Sequence, residues 1–176
     1  MRSVTMKELF VPDFYADSIF DIDLSKLQKQ GIQSLIIDID NTLVAWDKKE
    51  APVSVLEWFG KLKEMGFKLC LVSNNTEDRV VKFTEDIDID AIHKAKKPIK
   101  APFRKAMNKM GSDLDNTAVI GDQIFTDVLG GNRTGLYTVL VVPIEGKEYW
   151  WTKFVRNIER HIVRGLKKGE NKSRIN

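Results

Sequence analysis

One cysteine in 176 residues excludes an internal disulfide, and two histidines, His93 and His161, are too few for a Cys/His metal centre. A metal in this chain would have to be held by oxygen ligands. Cys70 lies within the apolar run Phe67 to Val72 and reads as a small core residue, not a nucleophile. No stretch approaches the roughly 20 apolar residues that span a bilayer, and Met1-Arg-Ser-Val-Thr-Met-Lys-Glu lacks the apolar region of a signal peptide. A cytoplasmic location is therefore expected. Repeats and low-complexity segments are also lacking, and the 43% hydrophobic and 30% charged fractions fit a single globular domain with a real core.

The formal net charge of +3 conceals an asymmetry. Residues 147–176 hold nine Lys/Arg and three Asp/Glu, a surplus of six, so residues 1–146 carry about −3. Basicity confined to one end points to a patch for a phosphate-rich surface.

Strand-like and helix-like segments alternate. Residues 1–33 form a lead-in expected to pack on the core, with Pro12 and Gly31 as punctuation and Ser18 to Gln30 a short amphipathic segment. Ser34 to Leu43 is an apolar run ending in Asp38 and Asp40. Helical spacing of Val55, Leu56, Phe59 and Leu62 predicts a helix over 53–65, ended by Gly66. A strand from Phe67 closes on Ser73, Asn74 and Asn75. Further segments are a helix over 77–85, a short strand near 89–93, a helix from Pro102 to Met110, strands at 117–122 and 137–142, and a last helix from about Glu148. Residues 167–176 read as a flexible tail. The alternation predicts an α/β fold, a doubly wound parallel sheet with helices on both faces, spanning residues 34–166.

Asp-Ile-Asp also occurs at 21–23, 86–88 and 88–90, where it reads as solvated turn. Only the copy at 38–40 follows a buried strand. In a doubly wound sheet the carboxyl ends of strands converge on one rim. Asp38 and Asp40, Ser73 with Asn74, Lys97 and the pair Asp122 and Asp127 can then share a site. Carboxylates so gathered repel one another unless a cation offsets them, and an all-oxygen set suits Mg²⁺. Magnesium points to phosphate, whose monoesters are among the slowest compounds to hydrolyse unaided. A carboxylate nucleophile would split that barrier into two steps.

The ordered set resembles the four motifs of the haloacid dehalogenase superfamily of phosphohydrolases: Asp38-Ile-Asp-Asn-Thr42, Ser73, Lys97 before Pro98, and Gly121-Asp-Gln-Ile-Phe-Thr-Asp127. The resemblance covers residues 34–143. It implies Asp38 as nucleophile, Asp40 as acid and then base, Ser73 and Lys97 as phosphoryl contacts beside Asn74, and Asp38, the Asp40 carbonyl, Asp122 and Asp127 as the Mg²⁺ site. Lys96 stands as the alternative to Lys97, because Lys94, Lys96, Lys97 and Lys100 crowd together. Asn41 and Thr42 read as turn and strand-end structure.

Neither inter-motif interval has room for a cap domain, so the site is expected to be open. The stripe Trp151, Phe154, Val155, Ile158, Ile162 and Leu166 faces away from Lys153, Arg156, Arg160, Arg164 and Lys167. Such a helix either packs on the core or lies on an anionic membrane surface. The motif and its lead-in resemble the YqeG-like group of subfamily IIIA phosphatases, which is similar to phosphatidylglycerophosphate phosphatases. The resemblance implies a phosphorylated substrate, in the leading reading a phospholipid head group, with the protein peripheral at the membrane. Alternatives are a soluble metabolite phosphatase, or a module whose basic helix docks a protein or nucleic acid; nucleic acid is the less expected partner. The oligomeric state is not legible.

Overall fold

The computed structural model describes residues 6–144. Six parallel strands form one sheet in the order β1-β6-β5-β2-β3-β4: β1 Phe14–Ala16, β2 Ser34–Ile37, β3 Lys68–Val72, β4 Asp90–Ile92, β5 Thr117–Gly121 and β6 Tyr137–Val141. The helices are α1 Leu24–Lys29, α2 Val53–Glu64, α3 Glu77–Thr84, α4 Ala101–Met110 and α5 Leu129–Thr134. The predicted doubly wound α/β sheet is what forms, and among the described residues no inserted cap interrupts it. The predicted helix from about 148 and the tail at 167–176 lie outside the described residues.

Chain reversal from β2 places β3 on one side and β5 on the other, so β2 is covered on both edges and both faces. All four of its residues are buried, the pattern of a central parallel strand. Apolar side chains divide between two cores. Leu35, Ile37 and Leu71 pack with Phe59, Leu62 and Phe83 from α2 and α3, whereas Ile36, Cys70 and Val119 pack with Phe103, Ala106 and Met107 from α4. Cys70 has no exposed surface, and burial, with the carboxylate of Asp90, pushes its thiol up to about 12.

Two details depart from the sequence reading. Leu56, counted in the α2 stripe, is 38% exposed, and Trp58 is buried instead. Residue 58 is three positions after Val55 and four before Leu62 and so shares their face, whereas residue 56 is turned about 100° from 55 toward solvent. The lead-in contributes β1, an edge strand paired with β6, and buries Ile19, Ile22, Leu24, Leu27 and Ile32. Asp13 fixes its entry by accepting from both the backbone N–H and the hydroxyl of Thr138, at 2.8 and 3.1 Å. The other Asp-Ile-Asp copies are solvated: Asp21, Asp23, Asp86, Asp88 and Asp90 are exposed. No helix among the described residues is long and apolar enough to cross a membrane.

Candidate active site

β2 delivers Asp38 directly off its end, with the Asp38 N–H still donating to the Ile120 carbonyl at 2.9 Å. The next residue, Ile39, is driven into the core at 1% exposure, and the chain must turn at once. Asn41 makes that turn in the left-handed region, φ 62°, which asparagine tolerates better than most residues. The N–H groups of Thr42 and Leu43 then donate back to the Ile39 carbonyl at 3.3 and 2.9 Å. This reversal brings the Thr42 hydroxyl to 3.1 Å from Asp122 Oδ1 and 3.4 Å from Asp38 Oδ2.

β5 ends in Gly121 and delivers Asp122. A π-helical turn, Ile124–Val128, folds Asp127 back over the strand end, where its Oδ2 accepts from the Gln123 N–H at 3.2 Å. Only glycine fits beneath it: a Cβ on residue 121 would lie 2.3 Å from Asp127 Cγ.

Lys97 completes the cluster. Its Nζ donates to Asp38 Oδ1 and Asp127 Oδ1, each at 2.6 Å, with all three side chains at most 8% exposed. Of the two lysines the sequence left open, Lys97 faces the carboxylates and Lys96 is exposed. The loop before it is held by Lys94 N–H and Ala95 N–H donating to the carbonyls of Asn75 and Ser73. Lys94 and Lys96 both adopt left-handed backbone, φ 47° and 59°, strain of the kind that persists where neighbours over-determine it. Asn74 supplies much of that restraint. Its amide oxygen accepts from the Lys97 N–H at 2.7 Å and its amide nitrogen donates to the Lys97 carbonyl at 3.2 Å. Asn74 lines the cleft, but its side-chain amide is engaged with the Lys97 backbone at both ends.

Asp40 is separated from this cluster in its contacts. Oδ1 accepts from Arg79 Nη2 at 3.0 Å, and Oδ2 accepts from the Ser73 hydroxyl at 3.3 Å and the Asn75 amide at 3.2 Å. Arg79 and Asn75 were not among the residues singled out from the sequence, and Thr42 was assigned only structure. A signal for Arg79 was available: it sits in the first turn of α3, where the helix dipole disfavours a cation unless an anion lies close by.

These groups floor an open cleft of about 320 Å³. Asp38, Asp40 and Lys97 lie within it, Ser73 to Asn75 line the β3 side, and Gln123 and Thr126 line the β5 side. Burial, opposed by Lys97 and reinforced by Asp127, raises Asp38 to about 6. Burial together with Asp38 and Asp127 pushes Asp122 up to about 8. Burial would lower Lys97, but the carboxylates of Asp127 and Asp38 outweigh it and hold the ammonium above its ordinary value. Oxygens of Asp38, Asp122 and Asp127 all lie within 4.8 Å of one another. Three carboxylates against one ammonium leave a formal −2 in a buried place, and the donors are all hard oxygens. The set fits a hard divalent cation.

A parallel sheet whose central strand presents an acid pair, facing a buried lysine and a second acid pair, defines a hydrolase class. A sequence profile of the haloacid dehalogenase-like hydrolases matches residues 5–135, and the chain belongs to that family, as a phosphatase of the superfamily. The chain is 44% identical to the probable phosphatase YqeG of Bacillus subtilis over 93% of its own length and 95% of that protein's. It is 27% identical to phosphatidylglycerophosphate phosphatase 1 of Arabidopsis thaliana, over 93% of this chain but only 50% of the plant protein. Among solved structures, the fold matches the cobalt-bound deoxy-D-mannose-octulosonate 8-phosphate phosphatase of Haemophilus influenzae, with a TM-score of 0.54 at 17% identity over 66% of this chain and 70% of that one. NagD from Escherichia coli gives the same score at 15% identity over 65% and 90%.

Proposed function

We propose that this chain is a Mg²⁺-dependent phosphate monoester hydrolase working through an aspartyl-phosphate on Asp38, with the phosphate of phosphatidylglycerophosphate as its substrate. The observation that carries the chemistry is the Lys97 ammonium set between Asp38 and Asp127 on the floor of an open cleft.

Asp38 attacks phosphorus while the bond to the leaving oxygen breaks, and Asp40 delivers a proton to that oxygen. Asp40, now ionised, takes a proton from water, whose oxygen attacks the same phosphorus. The bond to Asp38 breaks and the carboxylate is restored. Lys97 offsets charge on the nucleophile and on the phosphoryl oxygens, and Ser73 donates to one of those oxygens. Asp38, Asp122 and the Asp40 carbonyl, with Asp127, would hold Mg²⁺, which would supply positive charge to offset the repulsion between an anionic phosphate and a carboxylate. Thr42, donating to Asp122, keeps one oxygen of that carboxylate occupied and so limits its rotation.

Three observations support a lipid substrate. The cleft is open, with no cap among the described residues. Exposed apolar side chains occur in loops that follow four strands, at the strand ends that carry the site: Trp46 (64% exposed), Ile99, Phe125 (71%) and Ile144. Exposed Lys94, Lys96 and Lys100 lie in the loop after β4, a mixture suited to an anionic interface. The name of the plant relative points the same way. A peripheral position at a membrane follows from this reading.

The test compares phosphate release from phosphatidylglycerophosphate in anionic vesicles with release from sugar, nucleoside and glycerol phosphates. A higher kcat/KM on the lipid is expected; an equal or better soluble substrate would reject the lipid assignment and leave a metabolite phosphatase. Loss of Mg²⁺-dependent release in Asp38→Asn is expected on every substrate.

A further inference from the structure

We propose that Arg79 is a positioning residue that anchors one oxygen of Asp40 and thereby fixes which oxygen carries the catalytic proton. The proposal rests on the assignment of Asp40 as acid and base made above.

Asp40 divides its two oxygens between two kinds of donor. Among the described residues Oδ1 faces the Arg79 guanidinium alone, and Oδ2 faces Ser73 and Asn75, which line the cleft. Arg79 is 11% exposed and stands behind Asp40, outside the residues that line the cleft. Its other terminal nitrogen donates to the Lys49 carbonyl at 3.2 Å, and its Cζ lies 5.9 Å from the centroid of the Phe83 ring. The guanidinium is thus held at both ends of its fork. Among the described residues its buried Nε has no partner, a cost the fold carries to keep the two terminal nitrogens where they are.

Two consequences follow from donor arithmetic. A guanidinium N–H is a charged donor that never accepts, so it favours the unprotonated oxygen at Oδ1; at Oδ2 the donors are neutral, and the Ser73 hydroxyl can turn away from the proton. The acid's hydrogen therefore belongs on Oδ2, the oxygen on the cleft side. The Ser73 hydroxyl has a single hydrogen, now given to Oδ2. When Ser73 turns that hydrogen to a phosphoryl oxygen, Asp40 loses one of its three donors, and Oδ2 is freed to work on the leaving group. Arg79 and Asn75 are then what hold the carboxyl in place. Arg79 supplies the charge-assisted bond to Oδ1, and its other terminal nitrogen, donating to the Lys49 carbonyl, keeps the guanidinium from turning away.

The experiment exploits leaving groups. An aryl phosphate such as p-nitrophenyl phosphate expels a stable phenolate and needs little help from an acid, whereas an alkyl phosphate such as glycerol phosphate needs a proton. The ratio of kcat/KM on the two substrates within one variant does not depend on how much of that variant is folded. Arg79→Ala is expected to lose on the order of 10²-fold on the alkyl ester, the low end of what general acid catalysis contributes, and less than about tenfold on the aryl ester. Asp40→Asn is expected to show the same selectivity. Arg79→Lys, which keeps the charge but not the fork, should recover part of the alkyl activity and provides the same ratio should Arg79→Ala not accumulate. Equal losses on both esters, or none, in the Arg79 variants while Asp40→Asn remains selective would overturn the anchoring alone. Absence of selectivity in Asp40→Asn as well would overturn it together with the role of Asp40.

Discussion

Replacing Gly121 by alanine adds one methyl group at the most crowded point of the site. The new Cβ would lie 2.3 Å from both Cγ and Oδ2 of Asp127 and 2.5 Å from its Cβ, where ordinary contact begins at about 3.4 Å. The carboxylate must therefore retreat by about 1 Å. It has little freedom to do so, being 1% exposed, bonded through Oδ1 to Lys97 and through Oδ2 to the Gln123 N–H. Overpacking costs typically 1–3 kcal/mol, and breaking a buried ion pair outright about 3–5 kcal/mol. Because Lys97 keeps Asp38, only part of the second cost applies, and a total of about 2–4 kcal/mol is expected. In a chain of this size that is a drop in Tm of roughly 4–16 °C. Displacement of the lysine's partner by about 1 Å should lower kcat on the order of 10²-fold. The assays are thermal unfolding and phosphate release, run also in an Asp127→Gly background, where all three clashing atoms are gone. There the same Gly121→Ala change should cost less than about 1 kcal/mol. Wild-type stability and turnover in Gly121→Ala, or an equal loss in both backgrounds, would refute the reasoning.

Asp38 and Asp122 are raised to about 6 and about 8, so both bind more protons folded than unfolded, and their contribution to stability is lost as pH rises through those values. Melts in chelator should show a lower Tm near pH 9 than near pH 5, and Mg²⁺ should raise the Tm more at the higher pH, where both carboxylates are ionised; a Mg²⁺ effect independent of pH would contradict this. Asn74→Ala removes both bonds that pin the Lys97 backbone, and a fall in kcat of about tenfold with little change in KM is expected; a raised KM at unchanged kcat would mean that Asn74 contacts substrate instead. Cys70 is fully buried with its thiol pushed up to about 12, so the native protein should resist alkylation near pH 8 and react once unfolded in urea.

The parts of the fold legible in the sequence are those where burial dominates. β2, β3 and β5 are near-continuous apolar runs ending in polar residues, and such runs are what central parallel strands require. β1 was not legible, because a three-residue edge strand with only Ala16 buried has no period to detect. Its place depends on Asp13 meeting Thr138, 125 positions away. The acids and the lysine of the site stood out because each follows a strand. Arg79 did not, since it lies in the first turn of α3, past the loop that follows β3, and acquires meaning only when the Asp40 carboxylate is seen beside it. The side chain of Asn74 was read toward substrate because it follows Ser73. Its commitment to the Lys97 backbone depends on a loop closure that local sequence does not encode.

The central claim is that Asp38 becomes phosphorylated, and the most direct measurement is rapid acid quench of the enzyme during turnover, followed by mass mapping of the phosphorylated peptide. A phosphoryl group on the peptide carrying Asp38, formed only with Mg²⁺ present and lost in Asp38→Asn, is the expected result. Steady turnover with no phosphorylated peptide at any quench time, or a phosphoryl group retained in Asp38→Asn, would contradict the account.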